Sequence, residues 1–161
     1  MKKAISALTL GLLTSLSSFQ VMANQASNVT VSDPYAREVP PGAHASASFM
    51  TLNNRSDHAI KLVQADSTVA AAVELHTHTN DNGMMRMRQV QFFTIPANGQ
   101  SQLKPGGNHI MLIKPHKPLK AGQTVSLQLQ FEDGSTKQVD MPVKSVMQNM
   151  GKMNHDMQHH H

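Results

Sequence analysis

Hydrophobic and polar positions along most of this chain alternate with a period of two, the signature of strands with one buried face. Residues 28–33 place Val29 and Val31 on one side, and residues 46–54 run from Ser46 to an Asn pair. Residues 59–65 and 71–79 follow, the second closed by the turn Asn80-Asp81-Asn82-Gly83. The stretch 84–93 reads as a further strand, as do 109–114, 124–132 and 136–143. In 124–132, Val125, Leu127, Leu129 and Phe131 share one face, and Asp133-Gly134 then signals a hairpin. Seven to nine strands at such spacing, with no convincing helical period, predict an all-β sandwich or barrel.

The two ends break the pattern. Residues 1–23 combine a basic start at Lys2 and Lys3, an uncharged apolar run, and a small residue at Ala23. This is the pattern of a secretory signal peptide cleaved near Ala23, and the run is too short and Ser-rich for a membrane span of about 20 residues. Residues 24–144 form the predicted folded domain. Residues 145–161 offer, beyond Val146, only methionine as a core residue and are expected to be a disordered tail.

Composition removes several function classes. Losing Lys2 and Lys3 lowers the basic count from 14 to 12 against 10 acidic residues, too weak a balance for nucleic acid. There is no cysteine, hence no disulfide framework, no thiolate nucleophile and no thiolate metal ligand. No catalytic triad, nucleophile elbow or paired-carboxylate motif stands out, so an enzyme is not expected. Ten histidines and twelve methionines are instead abundant in a chain without tryptophan.

Their placement within strands is informative. With Val73 and Leu75 facing the core, His76 and His78 share the opposite face with Glu74. Met85 shares a face with Met87, and His109 with Met111, whereas Met84 falls on the core side by alternation. Thioether sulfur suits Cu(I) and is a poor ligand for hard cations or zinc, and imidazole suits copper in either oxidation state. A blue-copper electron-transfer site needs a cysteine thiolate, which is missing. Methionine in a strand is nevertheless most often core filler, so spacing alone leaves a metal site and incidental packing both open.

Ten residues separate His76 from Met87, and twenty-one separate Met87 from His109-Ile110-Met111. This His-x10-Met-x21-His-x-Met spacing resembles the signature of the periplasmic copper chaperone family PCu(A)C. The segments DPYAREVPPGAHASASFMTLNN, VELHTH, GMMRMRQV and IPANGQSQLKPGGNHIMLIKPHKPLKAGQTVSLQLQF resemble it too, over about 29–143. The resemblance implies a cupredoxin-like β-barrel that binds one Cu(I) through His76, Met87, His109 and Met111. It also implies delivery of copper to the copper A centre of cytochrome c oxidase subunit II, often alongside a Sco-type thiol protein. His78 lies outside the signature and is read as a surface residue; Met85 is read as a shield or transient sulfur relay.

The tail carries Met147, Met150, Met153 and Met157 with His155, His159, His160 and His161. It is read as a secondary metal-binding extension suited to Cu(II). Copper sequestration with the same main site plus the tail is therefore the competing function. Both readings place the mature protein in the periplasm, without stable membrane insertion.

Overall fold

The computed structural model describes residues 24–145. Among them are one helical turn and ten strands. The turn, α1 (Gln25–Asn28), is capped by Asn24, whose side-chain oxygen accepts from the Ser27 N–H. The strands are β1 (Val29–Arg37), β2 (Ala45–Asn54), β3 (Ile60–Asp66), β4 (Ala70–Asp81), β5 (Met84–Gln89), β6 (Phe93–Ile95), β7 (Gln100–Leu103), β8 (His109–Pro115), β9 (Thr124–Phe131) and β10 (Thr136–Lys144). They pair in the order β5-β4-β8-β2-β1-β10-β9-β3-β6, with β7 added to β2. β1 and β10 are parallel, and every other pairing is antiparallel.

The sheet folds over as an open sandwich because each half has one apolar face to cover. Leu52, Leu75, Ile110 and Leu112 from one half join Leu62, Ile95, Leu127, Leu129 and Phe131 from the other in a single core. Burying each of these side chains contributes about 1.5–3 kcal/mol. The predicted alternation in β9 holds throughout, with Val125, Leu127, Leu129 and Phe131 all buried.

Three expectations are corrected. The stretch 84–93 is two strands: β5 ends at Gln89, the Val90 N–H donates to the Leu75 carbonyl, and Phe93–Ile95 crosses to pair with β3 in the other half. Met84 is not core but 60 % exposed, since β5 is an edge strand pairing only with β4 and none of its six residues is buried. The first strand does not stop at Asp33. A bulge there, with Asp33 at φ 51°, lets β1 continue past Pro34 to Arg37.

Two turns position the site. β4 and β5 are joined through Asn82 and Gly83 at φ 53° and 85°, the left-handed pair that a two-residue hairpin of type I′ demands. Before β8, Lys104-Pro105-Gly106-Gly107 closes with the Gly107 N–H on the Lys104 carbonyl at 3.0 Å. Pro105 at the second position and Gly106 at φ 79° make this a type II turn.

Candidate metal centre

β5, β4 and β8 lie side by side, and their register places His76, Met87, His109 and Met111 on one face. His76 stands directly opposite His109, Glu74 opposite Met111, and His78 opposite Met87. No irregularity interrupts β4 between Glu74 and His78, so His76, Met87, His109 and Met111 all project from the side away from Leu75 and Ile110. Met111 is half-buried, while Met87 is 48 % and Met85 56 % exposed. The four share one face, on which His76 and His109 are paired; residues 146–161, and with them Met147, Met150, Met153, His155, Met157, His159, His160 and His161, lie outside the described residues.

Hydrogen bonds fix both imidazoles. His109 is buried, and its Nδ1–H donates to the Gly107 carbonyl at 2.9 Å, leaving the Nε2 lone pair free. His76 donates Nε2–H to Glu74 Oε2 at 2.7 Å, leaving the Nδ1 lone pair free. Each free nitrogen is buried and, among the described residues, has no hydrogen-bond partner. The two rings sit with centroids 5.9 Å apart. A buried acceptor without a donor is costly unless something completes it, and two such nitrogens on paired strands form a site for a Lewis acid. A carbonyl or carboxylate holding the far side of each imidazole is the usual outer support of a metal-binding histidine.

The donors are soft as well as basic. Among the described residues, no group of three or more His, Cys, Asp or Glu side chains is arranged to hold a metal ion. The face is instead a mixed set of two imidazoles and two thioethers, which fits Cu(I) and does not fit a hard cation. Burial pushes the His109 pKa down, and the Gly107 carbonyl opposes it. The neighbouring His78 and His76 rings and the Arg37 guanidinium push it down further. The ring is thus held neutral, the form that ligates.

Two features of the site were not read from the sequence. The Gly107 carbonyl that orients His109 is a product of the type II turn, and only the Pro-Gly-Gly run hinted at it. A wall beside His109 is built by Phe49, 6.3 Å away between centroids, with the Tyr35 ring 5.2 Å and the Arg37 guanidinium 5.1 Å from the Phe49 ring centroid. These residues occupy β1 and β2, distant in sequence from the ligands.

This fold and donor face coincide with family membership. The chain belongs to the LpqE-like family, whose model matches residues 29–143. Among relatives, it is 38% identical to lipoprotein Lxx21020 of Leifsonia xyli subsp. xyli, over 79% of this chain and 76% of that protein. Among solved structures it is similar to apo-DR1885 from Deinococcus radiodurans, with 39% identity, a TM-score of 0.59, and coverage of 90% of this chain and 97% of that one. The Cu(I) form of DR1885 matches at 37% identity and a TM-score of 0.58, covering 80% and 83%. The copper-bound PCuAC domain from PmoF2 shares the fold at 19% identity, with a TM-score of 0.62 and coverage of 73% and 93%.

Proposed function

We propose that this protein is a periplasmic copper chaperone that binds one Cu(I) through His76, Met87, His109 and Met111. The observation carrying this reading is the pair of buried, unpartnered nitrogens, His76 Nδ1 and His109 Nε2, on a face that also presents two thioethers. The Cu(I)-bound state of a relative 37% identical to this chain supports it. The lipoprotein name of the LpqE-like family supports export, and residues 1–23 carry the pattern of a signal peptide cleaved near Ala23. Among the described residues no helix is long and apolar enough to cross a membrane.

The residues explain how such a carrier holds and yields its cargo. Gly107 and Glu74 pre-orient the two imidazoles, so little side-chain freedom is lost on binding. Thioethers are neutral, carry no proton, and can be displaced singly by a stronger donor such as a thiolate of an acceptor. The acceptor is the copper A centre of cytochrome c oxidase subunit II, directly or through a Sco-type thiol protein. The cargo is transferred unchanged, so no enzymatic step is involved. A second reading, copper sequestration, rests on the eight Met and His residues of the tail, whose imidazoles suit Cu(II).

An anaerobic Cu(I) competition titration against a chromogenic chelator separates these. Residues 24–161, a chain ending at Lys144, and Met87→Ala/Met111→Ala in the shorter chain are compared. The chaperone reading expects one tight equivalent in the shorter chain that the double substitution abolishes. Binding lost with the tail alone would leave sequestration as the function.

A further inference from the structure

The cross-strand register contains an asymmetry that the four-ligand set does not use. Met87 stands directly opposite His78, not His76. Directly opposed residues have Cβ atoms about 4.5–5.5 Å apart, and diagonal ones about 7–8 Å. His78 is thus the imidazole nearest to Met87. It is also closer to His109 than His76 is, with ring centroids 5.1 Å against 5.9 Å. Its Nδ1 points toward the Gly107 carbonyl at 3.4 Å, the same oxygen that orients His109. With Nδ1–H turned to that carbonyl, the Nε2 of His78 carries the lone pair.

We propose that His78 is an alternative copper ligand, replacing His76 to give a release position formed by His78, Met87 and His109 at the open edge of the sheet. This rests on the reading of the face as a Cu(I) site. Met111 is left behind in that position. It stands opposite Glu74, two residues along β4 from His76 but four from His78. Copper so held has three protein donors in place of four and a free coordination position on its outer side. Exposure rises in the same direction, from half-buried Met111 to Met87 and Met85 on the edge strand. Replacement rather than addition also agrees with the absence, among the described residues, of any three imidazole or carboxylate groups set to hold one ion. In the exchange the bonds from copper to His76 Nδ1 and to the Met111 sulfur break and one to His78 Nε2 forms. Copper remains Cu(I), and no proton moves.

The test uses the full mature chain, 24–161, with Cu(I) alone as ligand and long-range 1H–15N spectra of the imidazoles as readout. In the unsubstituted protein, Cu(I) is expected to shift the ring nitrogens of His76 and His109; failure there removes the Cu(I) site itself, separately from His78. In His76→Ala, Cu(I) is expected to shift His78 Nε2 together with His109, with affinity about 10-fold weaker. Adding His78→Ala should weaken it at least 100-fold more. A His78 ring unmoved by Cu(I) in His76→Ala overturns the proposal, whether the copper is lost or retained elsewhere. Should His76→Ala not fold, His78→Ala decides: affinity within about 3-fold of the parent, with transfer to a chelator slowed about 5-fold, sustains the release position, and an unchanged rate overturns it.

Discussion

The β9–β10 and β4–β5 hairpins are built from the same period-two pattern, and each turns on an Asp or Asn and a Gly. Their fates are opposite. β9 buries Val125, Leu127, Leu129 and Phe131 against the other half of the sandwich, while β5 buries nothing. In β9 alternation encodes inside against outside. Along the free end of β4–β5 both faces meet solvent, and alternation encodes only which side chains stand together. Methionine at Met141 of β10 is fully buried filler, and methionine at Met87 stands half-exposed on the proposed donor face. The residue type does not distinguish these roles; what packs behind the strand does.

The sharpest break of this comparison pairs one substitution from each hairpin. Phe131→Ala should cost about 3–5 kcal/mol of stability by urea titration, as removal of a buried aromatic does, and leave Cu(I) affinity unchanged in the fraction that folds. Met87→Ala should change stability by less than about 0.5 kcal/mol, the usual surface range. Its Cu(I) affinity should fall by at least about 100-fold, beyond the 10–100-fold loss typical of an outer-shell partner. Equal destabilisation by both substitutions would show that the β4–β5 end is part of the core.

A smaller effect separates the proposed ligands from their support within β4. Glu74→Gln keeps size and shape but removes the charge that holds His76 Nε2–H at 2.7 Å. Cu(I) affinity is expected to fall 10–100-fold, with the urea midpoint of the copper-free protein hardly moved. An affinity within 2-fold of the parent would mean that His76 is oriented by something other than this carboxylate.

Much of this division was legible in the sequence. The strands with strict alternation over a core were read with their burial, and the shared face of Glu74, His76 and His78 followed from period two alone. The errors came where local pattern carries no information about neighbours. Met84 alternates like a core residue, yet among the described residues no second layer lies behind β5. Gln89 to Phe93 contains neither Gly nor Pro, so nothing local marked the crossing from one half to the other. β7 was invisible because of its four residues only Leu103 is buried. Which strands adjoin is a tertiary fact, and so is the contact that ties His109 to Gly107 and sets its ring beside Phe49.

The smallest effect concerns the proton. The His109 pKa lies below its ordinary value of 6.5, chiefly through burial and then, against the pull of Gly107, through the nearby His78, His76 and Arg37. In the unfolded chain the same imidazole titrates near 6.5. Below that pH the unfolded state binds a proton that the folded state resists, so it carries more protons and stability rises with pH. The contribution is fully present above about pH 6.5 and is lost as pH falls toward the folded-state value. Urea midpoints of copper-free protein at pH 7.5 and 5.5 should therefore drop more for the parent than for His109→Gln, which has no proton to take up. Parallel drops would mean that the His109 ring is as open to protonation in the fold as outside it. The buried β8 end of the donor face would then differ from the exposed β5 edge in position alone.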